Sequence, residues 1–597
     1  MKGFRIVAWG AVLVAMAACA YSAAAVASTS GNLIVGGDGE AGHCTGDWSA
    51  VTTVPGWTVV QGSPVVVCYS IGSFSTPGTP SRGNAFIADG PYGDSALTQT
   101  IDVSVAGSAI DSGSTTYTLS GWLGGWGSYA GQAIVTASFL DAGGQSLGSS
   151  AQLPAVTAAD RGYSNAFLSR SITNKVPTGT RSISVLLQFI DTSGSYNVGY
   201  ADNLSLTLST PMPVPTLAPP ASSVPAFDHV FMVMMENTDY SAVIGDTTDA
   251  PFINGLATSG TLLANASGTY HPSDENYLAI AGGDNFVQGA IYYPNIHVSA
   301  PNIGDRLEAV GKTWKGYEQG MGSPCALSSS DSYFAPDDLP FINFTDISTN
   351  KARCQAHLLD LSEFAIDLQA TATTPNFVWL SADDYYDGEA SGNGSPASLR
   401  VQDGWLKQTF QPLFNSPAWK NQRSLLILTW DESATRGTNH IATILVDSQG
   451  LVQRGYVSHA SYNHYSVGRT IEYALGLSSM TANDQYAQPI NDAFTPTAPP
   501  PTPTLATATP SVAAGSTIVF NYTTIAADLS STNWVGIYPA GVAPGSQASI
   551  SWQYTPSPSG QVSFGTSGLA AGNYAAWYCY NDGYTVLAGP ISFTVTP

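Results

Sequence analysis

Three apolar runs that each end in acids constrain this chain more than any other feature. Asp228 to Asn237 reads DHVFMVMMEN, Asn376 to Asp384 reads NFVWLSADD, and Ser424 to Glu432 reads SLLILTWDE. Runs this continuous do not suit half-exposed strands; they predict parallel strands buried on both faces. In an open α/β sheet, ligands bind outside the carboxyl ends of the strands. Glu236, Asn237, Asp383, Asp384, Asp431 and Glu432 are therefore expected to converge on one site, and a cluster of that charge requires a cation.

At 597 residues the chain exceeds what one core organises, so about two to four domains are expected. Charged residues make up only 10% and aromatics 11%, a turn-rich composition with too many rings and too few charges for a disordered chain. The net charge of −23 argues against nucleic acid or an anionic membrane as a broad partner. The same field repels anionic substrates, so a phosphate site must carry its own local positive charge.

The first residues read as an export signal spanning 1–27. Lys2 and Arg5 form a basic start, Ile6 to Ala18 is apolar, and Ala25-Val26-Ala27 is a cleavage signal before Ser28. A secreted or periplasmic protein is expected. The apolar run is broken by Gly10 and Tyr21 and falls short of the roughly 20 residues of a membrane span, so no transmembrane anchor is expected. Met16-Ala17-Ala18-Cys19 resembles a lipobox, which leaves lipid attachment at Cys19 open. In an oxidising compartment the economical pairing is Cys44 with Cys68 and Cys325 with Cys354. Cys579, in an aromatic run, is then a buried small hydrophobe.

Two Pro-rich stretches, 210–225 and 494–510, read as extended spacers. They divide the chain into residues 28–209, 226–493 and 511–597. The first unit alternates in Thr116 to Leu123, Ala133 to Phe139 and Ser182 to Phe189 between Gly- and Ser-rich turns, as a β-sandwich does. Its stretches Asn32 to Val35, Gln99 to Asp102 and Tyr200 to Ser205 resemble galactose-binding-like jelly rolls, which implies a carbohydrate or surface ligand; a spacer role is the alternative. The third unit alternates in Ser516 to Tyr522, Trp534 to Tyr538 and Tyr574 to Tyr580. With its WVGIYP stretch, Trp552 and NDGYTVL it resembles the immunoglobulin-like domains attached to some phosphoesterases, and its aromatics read as core.

In the middle unit, Ser273 precedes a short apolar-periodic run within TYHPSDENYLAIAGG. It is either the N-cap of a helix or a hydroxyl beside exposed N–H groups where a phosphate would dock. The ordered series MMEN at 234–237, HPSxxNY at 271–277, GKTWKGY at 311–317, the DDxxD set at 383–387, TWDE at 429–432 and YNHYSVGRTIE at 462–472 resembles the phosphoesterase family, which joins acid phosphatases and phospholipases C within the alkaline-phosphatase-like superfamily. The fold so implied is a central α/β domain with a mostly parallel sheet between two all-β sandwich domains.

The resemblance implies roles for individual residues. Glu236, Asn237, Asp431, Glu432 and Ser273 would hold a metal, with Ser273 the nucleophile. Asn276 would bond a phosphoryl oxygen and His271 would orient phosphate. His464 would serve as ligand or as acid to the leaving group, and Lys312 and Lys315 would supply positive charge to the substrate. The all-oxygen set suits Mg²⁺, Ca²⁺ or Mn²⁺ as well as Zn²⁺. A second ion would fall to Asp383, Asp387 and His464; the missing histidine four residues after Asp383 favours one ion over two. His440 is weighed as a further site residue, and Tyr385 with Tyr386 as the wall of a leaving-group pocket. The function so implied is a secreted metal-dependent acid phosphatase that cleaves phosphomonoesters through a phosphoserine. Asp274 and Glu275, beside the nucleophile in an acidic protein, add the expectation of an acidic pH optimum. The alternatives are a phosphodiesterase of phospholipase C type and a glycan- or surface-binding protein with an inactive central domain.

Overall fold

The computed structural model describes residues 29–71, 82–91, 93–190, 198–286, 293–435, 437–495, 503–524 and 528–597. The export signal, Cys19 and Arg436 lie outside the described residues. Two compact units divide the chain, Met1–Thr495 and Pro496–Pro597.

Within the first unit, residues before 210 form two five-stranded antiparallel sheets. Their alternating strands, such as Gln132–Leu140 and Ser182–Ile190, bury every second residue. Leu97, Val135, Ile183 and Leu187 of one sheet share a core with Ile87, Leu119, Leu123 and Leu206 of the other.

The central sheet has nine strands. In spatial order they are Leu358–Asp360, Trp314–Glu318, Phe377–Ser381, His229–Met235, Ser424–Trp430, His440–Asp447, Thr261–Ser267 and Tyr456–Ser458, with Tyr462–Asn463 also pairing the Thr261–Ser267 strand. The three apolar runs lie side by side as parallel neighbours, His229–Met235 in the middle. Every residue of the three strands is buried, which is why they read as continuous apolar runs and not as alternation. His440–Asp447 runs antiparallel to its neighbours on both sides.

The segment 210–225 is extended but does not hang free. Met212 packs against the core of the N-terminal sheets, the Ser223 amide donates to Asn491 Oδ1 at 2.8 Å, and the Tyr473 hydroxyl donates to the Pro220 carbonyl at 3.2 Å. A loop at 43–54, pinned by the Cys44–Cys68 disulfide, reaches the central domain directly. The Val51 amide donates to the Thr269 carbonyl at 3.0 Å, the Tyr270 hydroxyl to Asp47 Oδ2 at 2.9 Å, and the Thr53 hydroxyl to the Asn483 carbonyl at 2.6 Å. Cys325–Cys354 is the second disulfide, and Cys579 is a buried thiol.

Pro496–Pro597 carries a three-stranded and a five-stranded sheet around Ile518, Phe520, Val535, Ile537, Phe564 and Phe593. Among the described residues no helix is long and apolar enough to cross a membrane.

Because the 43–54 loop satisfies buried groups of the central domain, a chain starting at residue 210 leaves those groups without partners. Its melting temperature is expected to fall by more than about 5 °C relative to residues 29–495; equal melting curves for the two chains would contradict this coupling.

Candidate active site

Register alone brings the first acids together. Met235 pairs with Trp430 across parallel strands, so Glu236 and Asp431 leave the sheet side by side. The Asp431 amide donates to the Met235 carbonyl at 2.9 Å, and the Asn237 amide donates to Asp431 Oδ1 at 2.9 Å. Asn237 holds φ at 46°, a left-handed conformation that asparagine tolerates better than most residues. Its side-chain amide donates to Glu236 Oε2 at 2.7 Å.

Ser273 arrives from another direction. The Thr261–Ser267 strand leads into a turn that brings Gly268 so close to the end of the Ser424–Trp430 strand that a Cβ there would lie 2.6 Å from the Asp431 carbonyl oxygen. Only glycine fits that approach. The chain then passes His271 and Pro272 into the buried helix Asp274–Gly282. Ser273 occupies the N-cap position but makes no side-chain capping bond. Its hydroxyl instead donates to Glu236 Oε2 at 3.0 Å. His271 Nδ1 lies 2.5 Å from Glu432 Oε2, both side chains being almost wholly buried.

Electrostatically the site is a crowd of carboxylates without matching cations. Burial pushes the Glu236 carboxyl well above its ordinary value, and Asp431, Asp387 and Glu389 push it further. Asp431 rises to about 8 through burial and the charge of Glu432, while the Asn237 amide and the Ser273 hydroxyl act the other way. Asp274 also rises to about 8, chiefly through burial and then through the charge of Asp337. No lysine or arginine is among the principal groups acting on Glu236, Asp431, Asp387 or Asp338. Glu236 Oε1 and Asp431 Oδ2 are buried without a hydrogen bond. Orphaned carboxylate oxygens in a dry site are costly and are what an oxygen-preferring divalent ion takes as ligands. The residues present therefore fit a metal.

A second group lies alongside. Asp338, Asp384 and Asp387 each offer an oxygen within 4.8 Å of the others, and the buried Oδ2 atoms of Asp338 and Asp387 have no hydrogen bond. The Asp387 carbonyl accepts the Glu236 amide at 3.1 Å, which joins the two groups. Asp338 ends the single 3₁₀ turn Pro336–Asp338, too short to show periodicity, and only the adjacent pair Asp337-Asp338 could have flagged it.

Several expectations are corrected. Asp383 caps the short helix Asp384–Asp387, accepting the Tyr385 and Tyr386 amides on Oδ1 and Gln319 Nε2 on Oδ2 at 2.8 Å, so its oxygens are taken. His464 faces protein oxygens with both ring nitrogens, the Trp430 carbonyl at 3.0 Å and Asn276 Oδ1 at 3.2 Å. Burial lowers its pKa to about 4. A neutral ring carries one N–H and can donate to only one of these two oxygens; of the expected second-ion set, Asp387 lies in the Asp338, Asp384 and Asp387 group, and Asp383 and His464 do not. Asn276 does not face a substrate: its Oδ1 accepts the Thr269 and Tyr270 amides, and its Nδ2 donates to the Tyr270 and Pro272 carbonyls. It shapes the turn that carries Ser273.

Lys312 precedes the Trp314–Glu318 strand, at the end of the parallel sheet opposite the acids. Lys315 is paired with Asp367 at 2.6 Å. Neither supplies charge to the site. His440 stacks on Tyr240 and contacts the Ala264 carbonyl at 3.0 Å, a packing role. Glu318, fully buried at the end of its strand with both oxygens unbonded, was not anticipated; the GKTWKGY stretch that drew notice stops one residue short of it.

A model of the phosphoesterase family matches residues 246–478, a span that takes in Ser273, Asp387, Asp431 and Glu432 but begins after Glu236. The chain is 29% identical over 280 residues to a phosphatidylinositol-3-phosphatase of Mycobacterium tuberculosis, covering 47% of this chain and 87% of that protein. It is 26% identical over 260 residues to a "probable acid phosphatase" of Kluyveromyces lactis, covering 41% of this chain and 58% of the relative. A solved structure from Vibrio parahaemolyticus, described as a protein in the alkaline phosphatase superfamily, aligns with a TM-score of 0.34 and 12% identity over 54% of this chain and 79% of its own, too distant to bear on the fold described above.

Adding Mg²⁺, Ca²⁺ or Mn²⁺ to chelated protein at 100 times the dissociation constant is expected to stabilise it by about 2.7 kcal/mol, read as a rise in melting temperature. Asp431→Asn removes an orphaned ligand and a source of repulsion, so the chelated variant is expected to melt higher than chelated wild type and to lose most of the metal-induced rise. A variant that keeps the full rise would remove Asp431 from the ligand set.

Proposed function

With residues 246–478 a phosphoesterase-family segment, we propose that this phosphoric ester hydrolase is a metal-dependent phosphomonoesterase of acid phosphatase type that works through a phosphoserine at Ser273. The observation that carries the reading is the Ser273 hydroxyl, turned away from its helix cap and onto Glu236 Oε2 at 3.0 Å. Glu236, Asn237, Asp431, Glu432 and Ser273 would hold the ion. When bound, the ion supplies positive charge for the phosphoryl oxygens and lowers the pKa of a hydroxyl beside it.

The protein's own groups account for the remaining steps. Ser273 Oγ passes its proton toward Glu236 Oε2 as it attacks phosphorus; the P–Oγ bond forms, the bond to the leaving oxygen breaks, and the departing alkoxide takes a proton from solvent to become the alcohol. The amides at the start of helix Asp274–Gly282 face the phosphoryl group as it arrives. His271, held by Glu432, orients the phosphate. Water then attacks phosphorus from the opposite side, giving phosphate and returning the proton to Ser273. The relatives named as acid phosphatases motivate an acidic optimum and a substrate that is a soluble or lipid-borne phosphomonoester. Export through residues 1–27 belongs to the same reading, as do the resemblances of the outer domains to ligand-binding sandwiches.

One observation favours a second reading. With Lys312 and Lys315 removed from the site, the second ionised oxygen of a monoester has no side-chain cation among the described residues to meet it. A diester carries one charge fewer, so a phosphodiesterase of phospholipase C type gains by this absence.

Para-nitrophenyl phosphate and its bis-ester, tested from acidic to alkaline pH, separate the two. Monoester hydrolysis is expected with a maximum below neutrality, and Ser273→Ala is expected to lower kcat by about a thousandfold or more. Cleavage of the bis-ester alone would transfer the assignment to the diesterase, and a Ser273→Ala enzyme with wild-type kcat would overturn the phosphoserine.

A further inference from the structure

The unit Pro496–Pro597 contains only two charged side chains, Asp528 and Asp582, and no lysine, arginine, glutamate or histidine. Asp582 stands in a cleft of about 300 Å³ lined by Trp534, Trp552, Tyr554 and Tyr584. These rings were expected to be core. Trp534 is, at 7% exposure, but Trp552, Tyr554 and Tyr584 are 51%, 43% and 57% exposed.

Sheet geometry builds the cleft. Trp534 and Tyr554 are paired across antiparallel strands, and Trp552 pairs with Gly536, so all three rings rise from one face. Gly536 makes room for the floor, since a Cβ there would lie 2.5 Å from the Trp534 ring. The Trp534 indole N–H is bonded to the Gly583 carbonyl at 3.1 Å, which fixes its plane. Tyr584 lies over Gly545, whose Cβ would meet its ring at 3.4 Å.

The rings stand as walls and not as a platform. Trp552 is inclined at 77° to Trp534, Tyr584 at 77° to Trp534, and Tyr554 at 71° to Trp552. Asp582 accepts the Tyr554 hydroxyl at 2.7 Å. A pyranose stacks on a flat exposed ring, whereas these rings stand edge to face, and the polar groups of the lining are few: Asp582, Ser549 and the Tyr554 and Tyr584 hydroxyls. A primary ammonium needs acceptors for three N–H groups, and the cleft offers one carboxylate that is already engaged. A quaternary ammonium needs no hydrogen bond, only ring faces and a compensating charge.

We propose that this cleft binds an alkylammonium head group of choline type, with the four rings as a cage and Asp582 as counter-charge. The site is independent of the phosphoesterase reading and places a cation-recognising function in the C-terminal unit.

The test is saturation-transfer NMR on the N-methyl protons of choline with the full chain at constant ionic strength, beside the neutral isostere 3,3-dimethylbutan-1-ol. Saturable binding of choline is expected, with the isostere at least about fivefold weaker. Trp552→Ala and Asp582→Asn, both at exposed positions, are each expected to weaken choline about three- to tenfold. Equal binding of the neutral isostere, an undiminished affinity in both variants, or the absence of saturation below about 100 mM would overturn the proposal. So would saturable binding of an oligosaccharide in place of choline.

Discussion

The structure depends on the mutual repulsion of carboxylates that the central sheet forces together. Parallel pairing of His229–Met235 with Phe377–Ser381 and Ser424–Trp430 leaves no freedom in where the following residues emerge. Glu236, Asp387 and Asp431 are buried; Asp431 and Asp387 raise the pKa of Glu236, Asp431 raises that of Asp387, and Glu432 raises that of Asp431. Like charges in a dry site are unfavourable by several kcal/mol per ion unless paired. Among the described residues no lysine or arginine is a principal group acting on them, so these carboxylates are relieved by protons or, on the function proposed above, by a metal. Function and folding are coupled through that choice.

The turn that presents Ser273 follows the same logic at close range. For the proposed nucleophile to sit within hydrogen-bond reach of its proposed base, the 268–273 backbone presses against the end of the neighbouring strand. Gly268 permits the approach, and Asn276 ties together the Thr269, Tyr270 and Pro272 groups that such a tight turn would leave unbonded. His464 closes the arrangement from below by bridging Asn276 and Trp430. The loop at 43–54 completes it from outside, taking the Thr269 carbonyl and the Tyr270 hydroxyl. The N-terminal sheets thus brace the turn next to the chemistry, although the sequence reads them as a separate domain on a spacer.

What was legible in the sequence was whatever periodicity or abrupt composition change encodes. Unbroken apolar runs gave the buried parallel strands, and the acids that end them gave Glu236, Asp431 and Glu432 at one edge of the sheet; Asp387 came only with the family resemblance. The disulfides followed from spacing. What was not legible was direction. GKTWKGY contains two lysines, but only strand polarity tells that Lys312 precedes the sheet edge opposite the site. His464 faces the Asn276 side chain, 188 residues off, and the Trp430 carbonyl, 34 residues off, and no local pattern encodes either; Asn276 bonds the Thr269, Tyr270 and Pro272 backbone of its own turn. Asp338 and Glu318 were missed because one ends a 3₁₀ turn too short to show periodicity and the other ends a run of only five strand residues.

Charge distribution ties these findings to substrate choice. A protein of net charge −23 repels an anionic ester at long range, and screening weakens that repulsion over about 8–10 Å in ordinary salt. Inside the site the repulsion is not screened, and the ester meets orphaned carboxylates before any cationic side chain. Whatever ester is bound must have its charge met by the ion, the helix amides and His271. The amides contribute partial charges only, so each additional ionised oxygen on the substrate has to be matched by the ion. A site holding one divalent ion suits a singly charged ester better than a dianion, whereas occupation of Asp338, Asp384 and Asp387 as well would tip it toward the monoester. The number of ions and the class of ester are therefore one question, set by the same carboxylates that the sheet brings together.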